Sequence, residues 1–308
     1  MKPLLHIGFH KTGTSLLQTH LFQPEFGFKP LKDDRRRIHS AFILPDALGD
    51  PDAALIADIR AEAAVAKART QAFVVSHERL SGYPASRGFD QGIIAERLHA
   101  TFPEGRVLIF IREQKAMLYS MYLQSISGGG TLGPARFFSP REQTLLRKPS
   151  FRLGFWHYDR VISKYQVLFG NENVLVLPFE ELRNDANAIA RQIIDFAGGT
   201  PDIWQEGRLS KEVNAGRPLA LQALRRCLNL LTRSQLNENG LLPFPVTWME
   251  KSMTSLRPIS GLMRPLDGPL KARLRKRIAT LCEGQYGASN RATADLTGLD
   301  LVGLGYDV

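Results

Sequence analysis

His6-Ile7-Gly8-Phe9-His10-Lys11-Thr12-Gly13-Thr14-Ser15-Leu16-Leu17-Gln18 follows directly on Leu4-Leu5. The apolar run predicts a strand over Leu4–Phe9, and Ser15–Phe22 reads as the helix that leaves it. Between them lies the turn His10 to Thr14, with a glycine, a lysine and two hydroxyls; Gly8 just before it and Ser15 just after it add to the same loop. The N–H groups of such a turn and of the first helical turn lack internal partners and point outward, where the helix dipole also favours an anion. Lys11 adds a point charge, and Thr12, Gly13, Thr14 and Ser15 add hydroxyl and main-chain donors. The segment is a phosphate cradle by composition, yet it breaks the nucleoside-triphosphate pattern G-x-x-x-x-G-K-[ST], which places lysine directly after the second glycine. Gly8 and Gly13 keep that separation, but Lys11 precedes Gly13.

Further strands are predicted at Phe73–Ser76, Val107–Ile111 and Val174–Leu177, with a weaker one at Phe42–Leu44. Helical stretches separate them: Asp52–Arg69, Gly92–Thr101, Gln114–Ser127, Trp156–Leu168 and Ala186–Phe196. Strands alternating with helices imply βαβ units and a parallel sheet covered on both faces. The expected fold is therefore α/β, P-loop-like, with three layers and a central parallel sheet. After about residue 200 strand signals stop, and Pro-rich segments punctuate helical pieces. The chain reads as one domain over 1–308, with an α/β core over 1–200 and a mainly helical cap or extension over 201–308.

The 308 residues are 44% hydrophobic, with 40 Lys+Arg against 30 Asp+Glu and a net charge of +10. That composition excludes disordered and disulfide-scaffold chains. No run approaches the roughly 18 apolar residues of a membrane span, and His6, His10 and Lys11 interrupt any signal-like apolar core. Cys227 and Cys282 read as ordinary thiols of a reducing compartment, so the expected location is cytoplasmic. The seven histidines show no metal-ligand spacing, and no metal is expected. The positive charge gathers at Arg35-Arg36-Arg37, Arg136 to Arg152 and Leu270–Arg277, and it draws anions of some kind.

His10-Lys11-Thr12-Gly13-Thr14-Ser15 resembles the 5′-phosphosulfate loop of the sulfotransferases that use 3′-phosphoadenosine 5′-phosphosulfate (PAPS). A second motif agrees: Arg112 ends the strand Val107–Ile111, and Ser120 follows eight residues on. The resemblance implies that this pair binds the 3′-phosphate of the donor; Arg supplies a planar fork of donors and Ser a hydroxyl two helical turns later. Val174 to Leu182 is similar to the family's last strand and acidic turn, and Gln285 to Arg291 with Leu301 to Tyr306 to the tails of bacterial members. The usual Pro after the Arg is absent, nothing matches the Arg-Lys-Gly run of animal cytosolic members, with Lys211 to Arg217 the nearest basic stretch, and Leu16 stands where a Trp often stacks on adenine. What the resemblance implies is in-line transfer of a sulfuryl group from PAPS to a hydroxyl or amine, with Lys11 beside the bridging oxygen and no metal.

Transfer to a hydroxyl needs a base. His77 and Glu78 stand just past the strand Phe73–Ser76, at the rim where α/β sites form. His77 has the more suitable ordinary pKa, Glu78 would need raising by burial, and bacterial relatives often carry Ser-Glu here, which favours Glu78. His10 is a third candidate. On the acceptor side, Ser127 to Gly133 is flexible by composition and leads into Arg136, Phe137, Phe138, Arg141, Arg147, Lys148 and Arg152, a candidate lid. The acceptor is expected to be a small molecule or a glycan, or lipid-linked. The Leu270–Arg277 run suits peripheral contact with an anionic membrane. Two other readings compete. A nucleotide-dependent phosphotransferase would need Mg²⁺, and the predicted strands do not end in an Asp to hold it. A nucleic-acid binder would show a recognition motif, and none is present. Oligomeric state is not legible.

Overall fold

The computed structural model describes residues 1–46, 48–84, 88–138, 152–209, 218–234, 236–242 and 257–308. Its sheet has five parallel strands, β1 (Leu4–Gly8), β2 (Phe28–Pro30), β3 (Ala72–Ser76), β4 (Arg106–Ile111) and β5 (Val174–Pro178), in the order β2-β3-β1-β4-β5. The helices are α1 (Thr14–His20), α2 (Asp34–Ile38), α3 (Ala53–Ala68), α4 (Gln91–Thr101), α5 (Gln114–Ser127), α6 (Pro134–Phe137), α7 (Tyr158–Phe169), α8 (Phe179–Asn184), α9 (Ala186–Phe196), α10 (Leu219–Asn229), α11 (Arg257–Cys282) and α12 (Gly287–Thr297). The expected three-layer α/β arrangement is present.

The chain divides into two compact units, each discontinuous in sequence. The first comprises Met1–Glu113, Leu145–Lys211 and Tyr286–Val308; the second comprises Gln114–Thr144 and Glu212–Gln285. The tail from Tyr286 thus packs with the sheet.

In the first unit, period-two alternation sends Leu4, Val74, Leu108 and Phe110 to one face. There they meet Leu17 and Leu21 of α1, Leu182 of α8 and Ile189, Ile193 and Ile194 of α9. Each such aliphatic side chain contributes about 1.5–3 kcal/mol through burial. Asp185 starts α9 by accepting from the N–H groups of Asn187 and Ala188 at 3.1 and 2.9 Å, a cap worth about 1 kcal/mol. The opposite face is covered by α3, α4 and α7, and Phe9 packs edge-on against Tyr158 with ring centroids 4.9 Å apart.

Four predicted strands and all six predicted helices form, with ends shifted by one or two residues. Phe42–Leu44 is not a strand. It falls in a π-helical turn, His39–Ile43, whose carbonyl end is gripped by Arg97: the guanidinium donates to Phe42 O, Pro45 O, Asp46 O and Gly49 O. The fifth strand is instead Phe28–Pro30, a three-residue edge strand where a terminal proline is tolerated.

In the second unit α5, α10 and α11 pack together. Arg225 donates to Ser127 O, and Asn229 Nδ2 donates to Ile126 O at 2.8 Å and Gly130 O at 3.0 Å. Tyr122 holds the rings of Phe137 and Phe138, with centroids at 5.4 and 5.7 Å. The first part of the expected lid is therefore the capped end of α5, and Arg136 to Phe138 is anchored by aromatic packing. Arg141, Arg147 and Lys148 lie outside the described residues, as does the stretch 211–217. Among the described residues no helix is long and apolar enough to cross a membrane.

Candidate functional site

Order β2-β3-β1-β4-β5 puts the reversal of strand order beside β1, and the loop after β1 opens at that switch point, where α/β sheets bind ligands. Pairing between β1 and β4 slips between His6 and Gly8, which releases the chain from the ladder. Gly8 turns away at φ +90°, and a Cβ there would stand 2.9 Å from the Cα of Glu78. Only glycine lets the two turns approach so closely. Lys11 adopts φ +61° and Gly13 φ +89°, the latter pressed against Leu182 and Phe179.

Hydrogen bonds fix the loop. Phe9 N–H donates to Phe110 O at 2.9 Å, and Thr12 Oγ1 donates to Phe9 O at 2.6 Å. The Thr12 hydroxyl proton is thus engaged within the loop. Thr14 is buried and its Oγ1 has no hydrogen-bond partner among the described residues, whereas Ser15 is exposed. An unmet buried hydroxyl costs about 1–3 kcal/mol.

Arg112 is locked from several sides. Its Nη1 donates to Lys11 O at 3.0 Å, and its guanidinium lies over the Phe179 ring, 4.8 Å from the centroid. Its own carbonyl accepts from the Tyr158 hydroxyl at 2.6 Å. The next N–H, of Glu113, donates to Glu180 Oε1 at 3.1 Å, and Glu180 Oε2 accepts from the Tyr306 hydroxyl at 3.1 Å. Burial lowers the Lys11 pKa first and the Arg112 charge lowers it further, while the Glu78 carboxylate opposes both. Lys11 thus feels a cation on one side and a carboxylate on the other.

The turn after β3 is built on His77. Its extended backbone precedes a 3-10 turn, Glu78–Ser81, and its Nδ1 accepts the N–H of Arg79 at 3.0 Å. That bond fixes the neutral ring as the Nε2–H tautomer, so His77 presents a donor rather than a lone pair at Nε2. Burial holds its pKa below the ordinary value, against the opposing pull of Glu78. For Glu78, burial pushes upward, but its own N–H and the nearby His77, His10 and Arg35 outweigh that and leave the carboxyl below its usual range. Burial alone would raise Glu78, as a base of neutral pH needs, but here its own N–H and its neighbours hold it down instead. His10 is almost fully buried and is held neutral, at about 4, chiefly by desolvation; its Nδ1 has no hydrogen-bond partner among the described residues.

The first unit brings together Lys11, Thr12, Gly13, Thr14, Ser15, His77, Glu78 and Arg112. Ser120 lies half-buried on α5, in the second unit. Sequence reasoning missed His39, whose ring stands edge-on to His77 with centroids 5.0 Å apart, and Arg35, whose charge acts on His77, His39 and Glu78. The basic run at Arg35 was visible, but nothing in it pointed to this turn.

No protein-family model and no curated protein matches this chain. Among solved structures it is similar to a sulfotransferase from Alicyclobacillus acidocaldarius, at 20% identity over 73% of this chain and 94% of the other, with a TM-score of 0.48. It is also similar to the sulfotransferase domain from the curacin biosynthetic pathway, at 14% identity over 82% and 96% of the two chains, with a TM-score of 0.40.

Proposed function

We propose that this chain is a sulfotransferase that moves the sulfuryl group of PAPS to a hydroxyl (or an amine) of a small-molecule or glycan acceptor. The observation that carries the reading is the position of the Lys11 loop, which Arg112 Nη1 holds through Lys11 O at 3.0 Å and which meets the backbone of Glu78 at Gly8. One cation pair for a doubly phosphorylated donor and one carboxylate for an incoming hydroxyl is the charge pattern that in-line transfer requires. In this reading the loop Lys11–Ser15 holds the 5′-phosphosulfate, with Lys11 beside the bridging oxygen. Arg112 takes the 3′-phosphate.

The acceptor oxygen attacks sulfur as the bond from sulfur to the bridging phosphate oxygen breaks. The proton passes to Glu78, and 3′-phosphoadenosine 5′-phosphate leaves. Glu78 suits the base because its carboxylate is ionised at neutral pH and His77 already carries a proton at Nε2. No metal has a part in this scheme. We place the enzyme in the cytoplasm, in keeping with two cysteines far apart in sequence and without a C-x-x-C pair. Arg273, Lys276 and Arg277 are exposed on α11 while Leu274 and Ile278 are buried, a face that suits peripheral contact with an anionic membrane rather than nucleic acid.

Calorimetric titration with 3′-phosphoadenosine 5′-phosphate, set against ATP with and without Mg²⁺, tests the reading. Tight, metal-independent binding of the bisphosphate supports it. Preference for Mg·ATP would replace it with a phosphotransferase.

A further inference from the structure

β1 and α1 flank the candidate donor loop, and both reach the same peptide bond on the neighbouring strand. The bond joins Ser76 to His77. Its N–H donates to His6 O of β1 at 3.1 Å, and its C=O accepts from Gln18 Nε2 of α1 at 2.8 Å. The Ser76 hydroxyl closes the arrangement. It lies 2.7 Å from His6 Nδ1 and accepts from Gln18 Nε2 at 3.1 Å. One proton is shared between the hydroxyl and His6 Nδ1, its donor set by the ring tautomer. The His6 ring itself lies between Phe22 and Phe110, with centroids 5.5 and 5.9 Å away and the rings edge-on. Desolvation keeps the His6 ring neutral, with a pKa of about 3.

A trans peptide held at both its N–H and its C=O cannot rotate about its flanking bonds. The residue that follows is His77, whose extended backbone aims Nδ1 at Arg79 N–H and starts the turn bearing Glu78. The last contact along this line is Gly8, where a Cβ would meet the Glu78 backbone.

We propose that Gln18 is a positioning residue: with Ser76 and His6 it clamps the Ser76–His77 peptide, so that the donor loop and the turn carrying Glu78 and His77 move as one body. The assignment rests on the sulfotransferase reading only for what Glu78 does; the clamp itself rests on the bonds just described. Its consequence is that an anion ordering the loop also fixes the direction of the Glu78 carboxylate. The charged and titratable groups facing His77 are Glu78 beside it, His39, His10, Arg35 and Asp34.

The test is ¹⁵N NMR of the histidine rings in the full-length protein, comparing wild type with Gln18→Leu, Ser76→Ala and Ser76→Thr. Wild type is expected to show His77 as a single Nε2–H tautomer that titrates below 6.5. Gln18→Leu and Ser76→Ala should give averaged tautomers and a midpoint moved upward by about half a unit or more, and Ser76→Thr, which keeps the hydroxyl, should restore the wild-type signals. Saturating 3′-phosphoadenosine 5′-phosphate should shift His77 in wild type and leave it unmoved in Gln18→Leu. His77 signals and titration in Gln18→Leu that superimpose on wild type would overturn the assignment, and if that variant does not fold, Ser76→Ala decides the matter in the same way. Failure of the bisphosphate to bind wild type at all would count against the sulfotransferase reading, while a tautomer change on losing Gln18 would still uphold the clamp.

Discussion

Replacing Arg112 with alanine is expected to weaken binding of 3′-phosphoadenosine 5′-phosphate about 100- to 1,000-fold. The guanidinium is fixed before any ligand arrives, by Nη1 on Lys11 O and by the Phe179 ring beneath it. Its remaining donors therefore meet a phosphate with little loss of side-chain freedom. Two charge-assisted bonds at about 1.5–2 kcal/mol each give about 3–4 kcal/mol, and every 1.4 kcal/mol is about tenfold in Kd. A second effect acts in the same direction. Lys11 sits at φ +61°, a conformation that costs a non-glycine residue about 1–2 kcal/mol, and Arg112 holds its carbonyl there; without that bond the loop relaxes away from its binding shape. Removing Arg112 also relieves a repulsion on Lys11 and raises its pKa, but the amine is protonated at neutral pH either way, so no charge is regained. Arg112→Lys keeps the charge and loses the fork and the stacking, and is expected to fall between, at about tenfold. Isothermal titration of the three proteins with the bisphosphate measures the series. A loss under about threefold for Arg112→Ala would refute the reasoning, as would equal losses for Arg112→Ala and Arg112→Lys.

The rate of transfer should be flat from about pH 6 to 8 and fall only below the usual glutamate range near 4.3, because both Glu78 and His77 titrate below their ordinary values; an inflection near 6.5 that vanishes in His77→Ala would make His77 the base. Stability should decline in acid from a higher pH. His6 and His10 take protons near 6.5 when unfolded but only at about 3 and about 4 when folded, so the unfolded chain binds more protons between those values, and each histidine removes about 1.4 kcal/mol per pH unit as pH falls below 6.5. Equal urea midpoints at pH 7 and pH 5 would contradict this. Gly8→Ala combines left-handed strain with a 2.9 Å approach to Glu78 Cα and should cost more than about 2 kcal/mol in denaturant unfolding; a change under about 0.5 kcal/mol is incompatible with the close approach. Asn229→Leu orphans the carbonyls of Ile126 and Gly130 and should cost about 2 kcal/mol, with faster hydrogen exchange at the end of α5; unchanged exchange there would show that the cap does not hold that end.

The sheet was legible where strands are long and uniformly apolar. Val107–Ile111 declares itself because all five side chains are buried between helical layers. Phe28-Lys29-Pro30 does not, since three residues with a lysine and a proline carry no pattern, and their strand exists only because β3 offers an edge to pair with. Phe42-Ile43-Leu44 misled in the opposite sense. Its apolar content serves burial of Phe42 at the end of a π-helical turn while Leu44 faces solvent. At the site, the residues adjacent in sequence were readable: Lys11 to Ser15, His77 with Glu78, and Arg112. Their division of labour was not, because it depends on which His77 nitrogen caps the next turn and on the N–H and side chains gathered around Glu78. His39, Arg35 and Gln18 reach the site through the order of the strands, which leaves no spacing to recognise.

Tyr306 has a consequence for how this protein is made. Its hydroxyl holds Glu180, which holds the N–H immediately after Arg112. All five strands have been synthesised by Pro178, yet the support behind Arg112 is incomplete until residue 306 has emerged from the ribosome. A chain that stops before Tyr306 thus lacks part of the hydrogen-bonded support behind Arg112, and bulk introduced at Tyr306 would be felt at Arg112.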